Sequence, residues 1–122
     1  MTISIQVVGL EKVQKMLVNA SKNKIMKADE AVGKAAFFLQ SEVQESIAGH
    51  RAEPTSVDTG TFLRSIKAVH NQLLQASVYT NVEYAKYLEY GTIYIQPRPH
   101  FRDSLLRNHL EIVNFIKNAI KS

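Results

Sequence analysis

No cysteine occurs among the 122 residues, which excludes a disulfide framework and thiolate chemistry. That absence fits a reducing, cytosolic setting. No apolar run approaches the roughly 18 residues that span a bilayer. The opening stretch MTISIQVVGLEK has neither the basic leader nor the long apolar segment of a signal peptide. Prolines number three, and no internal repeat or low-complexity tract is present. The formal charge is +4, which suits an anionic partner. Yet Lys12, Lys15, Lys22, Lys24, Lys27, Lys34, Arg64, Arg98, Arg102 and Arg107 are scattered. No block of like charge forms, and these side chains read as solvated helix faces.

Apolar residues make up 45% and charged residues 21%, an ordinary globular balance. A chain of this length is expected to form one domain and to hide roughly two-thirds of its unfolded surface. Residues 2–8 alternate Ile3, Ile5 and Val7 with Ser4 and Gln6, which predicts a half-buried strand ended by Gly9. From Leu10 the period changes. Leu10, Val13, Leu17 and Ala20, then Ile25, Ala28, Val32, Ala35, Leu39, Val43 and Ile47, lie three or four apart. This predicts one long helix over 10–48, hinged near residues 21–24. Residues 49–57 hold Gly49 and Pro54 and no periodicity, and read as a mobile loop.

A short helix is expected over 59–66, with Asp58, Thr59 and Gly60 as its capping segment. Residues 67–81 read as two strands joined by a poorly marked turn. The C-terminal helix is predicted over 99–120, with Pro99 tolerated in its first turn. Phe101, Leu105, Ile112, Val113, Ile116, Ala119 and Ile120 supply its apolar face. The fold class is α+β: a small, mostly antiparallel sheet packed by a long N-terminal helix and a C-terminal helix, with a further short helix at 82–90.

That further helix carries the stretch VEYAKYLEYGT. As a strand neither of its faces is clean. As a helix, Glu83, Lys86 and Glu89 share one stripe and can pair at i, i+3. Tyr84, Ala85, Tyr87, Leu88 and Tyr90 fill the remaining circumference. The expectation is a mostly buried helix of about two turns, exposed along its charged stripe and ended by Gly91 with positive φ.

Chemistry-bearing patterns are few. Asp58-Thr59-Gly60 is the active tripeptide of aspartic proteases, but it follows PTSV and precedes a helical pattern, so it reads as a helix cap. His50, His70, His100 and His109 show no metal-ligand spacing. Serine-nucleophile motifs and phosphate loops are absent. Glu83 and Glu89 read as salt partners of Lys86 or an arginine rather than as catalytic carboxylates. The expectation is no enzyme, no metal and no cofactor.

Three blocks in order, VDTGTFLRSI, VEYAKYLEYGT and QPRPHFRDSL, resemble the tail-component family of long-tailed bacteriophages and proviruses. The positions that carry the resemblance are Thr59, Gly60, Leu63 and Ser65. They continue with Tyr84, Ala85, Tyr87, Glu89, Gly91 and Thr92, and end with Pro99, Phe101 and Arg102. It covers residues 25–115, and His100 departs from it by separating Pro99 from Phe101. The resemblance implies a tail-completion or head–tail joining protein, a ring of hexameric type between head connector and tail tube. It implies location in the virion neck and, before assembly, in host cytoplasm. In such a ring Glu83, Tyr84, Lys86, Tyr87, Glu89, Gly91, Thr92, Pro99, Phe101 and Arg102 would form the interface motif. Aromatics would fix the short helix to the core, and Glu89 would meet Arg102 or a neighbouring subunit. DNA would pass through the lumen, and no membrane is involved. The alternatives are a tail terminator and, from another class, a basic nucleic-acid-binding module whose affinity falls steeply with salt.

Overall fold

The computed structural model describes residues 2–6, 20–56 and 60–121. The elements are β1 (Thr2–Gln6), α1 (Lys22–Ile47), α2 (Thr61–Ser65), β2 (Lys67–Gln72), β3 (Gln75–Tyr79), α3 (Ala85–Tyr90) and α4 (His100–Lys121). The class is α+β. The sheet is antiparallel in the order β1-β3-β2, with Ile3 opposite Val78 and Ala68 opposite the same Val78 on the other side. The central strand therefore carries the buried residues Ala76 and Val78, while β2 lies at the edge and is largely exposed.

Helix α1 is the spine. It packs against α4, and also against β2 and β3. Its buried positions Ala28, Ala31, Val32, Ala35, Ala36, Leu39, Val43 and Ile47 follow the predicted 3.6-residue stripe. Several are alanines, which let neighbouring elements approach closely. At 26 residues the helix is about 39 Å long, not the 60 Å of an unbroken helix over 10–48. It begins at Lys22, where Ser21 is extended (ψ 158°) and accepts a hydrogen bond from the Lys24 N–H. Serine suits that position because its hydroxyl oxygen satisfies a first-turn donor. Residues 7–19 lie outside the described residues, and with them the predicted end of the first strand and start of the helix.

Two further segments take their form from backbone hydrogen bonds. Segment 49–56, expected to be a mobile loop, has no helix or strand and is hydrogen-bonded at several points. The Ser56 N–H and the Thr55 hydroxyl both donate to the Ile47 carbonyl, which sits at the end of α1. Arg98 Nη1 donates to the Thr55 carbonyl at 3.0 Å. Further on, α2 starts after Gly60, whose φ is 82°. Glycine is the cap residue there, and its carbonyl accepts from the Arg64 N–H. The expected cap residues Asp58 and Thr59 lie outside the described residues.

The β2–β3 turn is Leu73-Leu74, and Leu74 has φ 59°, a conformation uncommon for a side-chain-bearing residue. Asp29 of α1 holds it: Oδ1 accepts from the Leu74 N–H at 2.7 Å and lies 2.8 Å from His70 Nε2. No helix among the described residues is long and apolar enough to cross a membrane.

A candidate assembly site

Helix α3 is inside out relative to the sequence reading. Its buried residues are Ala85 and Glu89, one turn apart, with Leu88 half-buried between them. Tyr84, Tyr87 and Tyr90 are exposed. The predicted charged stripe therefore does not face water as a unit. Glu89 is only 4% exposed, and Glu83 and Lys86 make no ion pair with each other. Lys86 instead lies over the Tyr87 ring at 5.2 Å, a cation–π arrangement.

The reason Glu89 is buried lies in α4. A helix begins with free N–H groups and a partial positive charge. Glu89 Oε1 accepts from the Phe101 N–H at 2.9 Å and Oε2 from the Arg102 N–H at 2.8 Å. One carboxylate thus caps a helix to which it does not belong. Its expected partner Arg102 is met through the backbone, while the Arg102 side chain pairs with Asp103. Burial pushes the Glu89 carboxyl above its usual range, against the opposing pull of the two N–H donors. Pro99 is buried just outside α4, its carbonyl accepting from the Asp103 N–H. Phe101 is fully buried.

Between α3 and α4 the chain makes a tight projecting turn. Gly91 has φ 77° and ψ 173°, so its φ is positive as predicted. The conformation differs from the helix-ending one expected and is open essentially to glycine alone. A Cβ there would lie 2.8 Å from the Ile95 carbonyl oxygen and 2.9 Å from Pro97. Thr92 closes the turn: its N–H donates to the Ile95 carbonyl, and its hydroxyl oxygen accepts from the Tyr94 and Ile95 N–H groups. The tip is apolar and bare. Ile93 is 94% and Tyr94 93% exposed, and Tyr90 beside them is 72% exposed.

Beneath this turn lies a polar chain that no spacing in the sequence announced. Ser46 donates to Glu53, and its oxygen is 2.8 Å from His100 Nδ1. His100 Nε2 is 2.7 Å from the Ser56 hydroxyl. Arg107 grips Glu53 with both terminal nitrogens, at 3.0 and 3.2 Å. An ionised carboxylate only accepts, so Ser46 must donate to it. The Ser46 oxygen then takes the Nδ1 proton, and in a neutral imidazole the Nε2 lone pair takes the Ser56 proton. Burial lowers the His100 pKa to about 4. Burial alone would raise Glu53, but bonds from Arg107 and Ser46 outweigh it and hold the carboxyl below its usual range. The chain clamps segment 49–56 onto α1 and α4.

The structure thus brings Tyr84, Tyr87, Glu89, Gly91, Thr92, Pro99, Phe101 and Arg102 into one neighbourhood, while Gly60 caps α2 elsewhere in the chain. Tyr84 touches Phe62 of α2 edge-to-face at 5.9 Å, and Phe62 in turn meets the His100 ring at 6.1 Å. Sequence reasoning missed Ser46, Glu53, Ser56, His100 and Arg107 as a group. One signal was present: Ser46 sits three residues after Val43 and Ser104 three after Phe101, both on the apolar stripes. It also missed Ile93 and Tyr94, which lie between the two predicted helices and carry no periodic pattern.

Among the described residues no cluster of histidine and carboxylate side chains could hold a metal ion, and every buried side-chain nitrogen or oxygen has a partner. No curated protein and no solved structure matches the chain. One family model does, described as "Bacteriophage HK97-gp10, putative tail-component", over residues 10–91. That span takes in the first sequence block and the second up to Gly91, including the whole of α3, and ends before Thr92 and Pro99. Since the match covers well over half of the chain, the protein belongs to the HK97-gp10-like family of phage tail components.

Proposed function

We propose that the chain is a tail-completion protein that assembles as a ring, of hexameric type, between head connector and tail tube. The observation that carries the reading is the apolar projection at Ile93 and Tyr94, flanked by Tyr87 and Tyr90. Isoleucine and tyrosine left bare in water, on a turn stiffened by Gly91, Thr92 and Pro97, mark a surface meant to be covered. A stiff turn loses little freedom on docking, which favours association. The family match supports a structural tail role, and with it a place in the virion. Lys22 and Lys24 at the start of α1 are exposed and would tolerate DNA passing nearby without reading its sequence.

The test is deletion of the gene in a phage or inducible provirus, followed by electron microscopy of the lysate. A completion protein leaves filled heads and finished tails apart, and adding the purified protein joins them. Tails of uncontrolled length would indicate a terminator instead. Normal infectious particles would contradict both readings.

A further inference from the structure

We propose that the Ile93–Tyr94 turn of one copy inserts into a groove between α1 and α4 of a second copy. This rests on the assembly reading above and names the partner of its exposed turn. The groove is lined by Lys34, Ala35 and Phe38 of α1 and by Glu111, Ile112 and Phe115 of α4, and has a volume of about 170 Å³. An apolar space near 150 Å³ holds a benzene ring, so one tyrosine ring fits. Lys34 and Glu111 are exposed at the rim, where a tyrosine hydroxyl needs a polar neighbour.

A chain cannot fill its own groove this way. The turn enters α4 at His100, whereas the groove residues lie 11–15 positions further along. At 1.5 Å per residue that is about 17–22 Å, beyond the reach of a turn closed on itself by Thr92. The second copy is also favoured by area. Tyr87, Tyr90, Ile93 and Tyr94, at their observed exposures, present on the order of 600 Å² if each aromatic offers roughly 150–250 Å². Stable interfaces take roughly 600–1,000 Å² from each partner, and the turn reaches the lower end of that range. Turn and groove are different surfaces, so the contact is head-to-tail and propagates until a rotation closes it.

Two variants and their mixture test this. Tyr94→Asp removes the insert and Phe115→Glu the groove. Both positions are exposed enough to leave the fold intact, which circular dichroism verifies, with Ile93→Asp as a second insert variant. Self-association of the wild type is measured by sedimentation velocity over a wide concentration range. Each variant should weaken it by roughly 30-fold or more, the size expected of a central aromatic anchor. The mixture should form a one-to-one heterodimer and nothing larger, because each variant retains the surface the other lacks. Variants that associate like the wild type, a mixture that stays monomeric, or a wild type monomeric throughout would overturn the turn-in-groove contact. None of these results bears on whether gene deletion separates heads from tails, so the two proposals fail separately.

Discussion

Glu89 stands on one helix and caps the next, and that single carboxylate ties α3 to the start of α4. Glu89→Ala would leave the Phe101 and Arg102 N–H groups without their acceptor. Loss of a helix cap costs about 0.5–2 kcal/mol, and an unmet buried donor about 1–3 kcal/mol. We expect a loss of about 2 kcal/mol in urea unfolding, with Glu89→Gln intermediate because one amide oxygen remains. For the same reason Glu89→Lys is a test of the fold rather than of docking. His100 makes a second prediction, in pH. Its folded pKa near 4 lies below the unfolded value near 6.5. As pH falls from 6.5 to 4 the unfolded chain takes up a proton that the folded chain refuses, and stability declines by at most about 3 kcal/mol. Glu53, held low, adds to the loss below about pH 4.5. Glu89, held high, acts with the opposite sign: its contribution is present at low pH and fades as pH rises through its folded value. Denaturation at pH 7, 5.5 and 4.5 should therefore show a fall that is smaller in His100→Asn. The same pH dependence in wild type and His100→Asn would mean that His100 is not kept neutral by burial.

At the scale of elements, the helices were legible wherever apolar residues alone define the face. Ala28, Val32, Ala35, Leu39, Val43 and Ile47 are all buried, as their spacing requires. Phe101, Ile112, Ile116 and Ile120 are buried in the same way, but Ser104 and Asn108 complete that stripe. They were invisible to a rule that counts only apolar positions. Ser104 is tied to the Glu42 carbonyl and Asn108 to Ser104, so polarity there costs little. The inversion of α3 has the same origin: a buried glutamate satisfied by another helix looks like a surface glutamate in sequence. The hairpin turn was poorly marked because Leu73-Leu74 lacks glycine and asparagine, and its geometry depends on the distant Asp29. Asp29→Ala should speed amide exchange at Leu74 and lower stability by about 1 kcal/mol, the usual worth of one hydrogen bond. Gly91 carries the stronger prediction. A side chain there meets both an unfavourable backbone conformation, about 1–3 kcal/mol, and the Ile95 and Pro97 atoms within 3 Å. Gly91→Val should lose more than the ~1 kcal/mol typical of compatible sites, as read by melting temperature. An unchanged melting temperature would show that the turn is not held as described.

For the molecule as a whole, the three sequence blocks converge on one region because each supplies a different part of a frame. Phe62 of the first block meets Tyr84 of the second, and Glu89 of the second caps the helix that carries Phe101 and Arg102 of the third. What the blocks did not show is the surface the frame presents, since Ile93 and Tyr94 have no periodic signature. The clamp through Glu53, His100 and Arg107 holds the loop before α2 against the same frame, so the turn is displayed by a firmly tied support. The most direct measurement is a cryo-electron microscopy map of the neck of assembled particles, with mass spectrometry to identify its chains. The account predicts a ring of this chain between connector and tail tube, with Ile93 and Tyr94 buried against a neighbouring copy. Particles that lack the chain, or that carry it only at the far end of the tail, would contradict it.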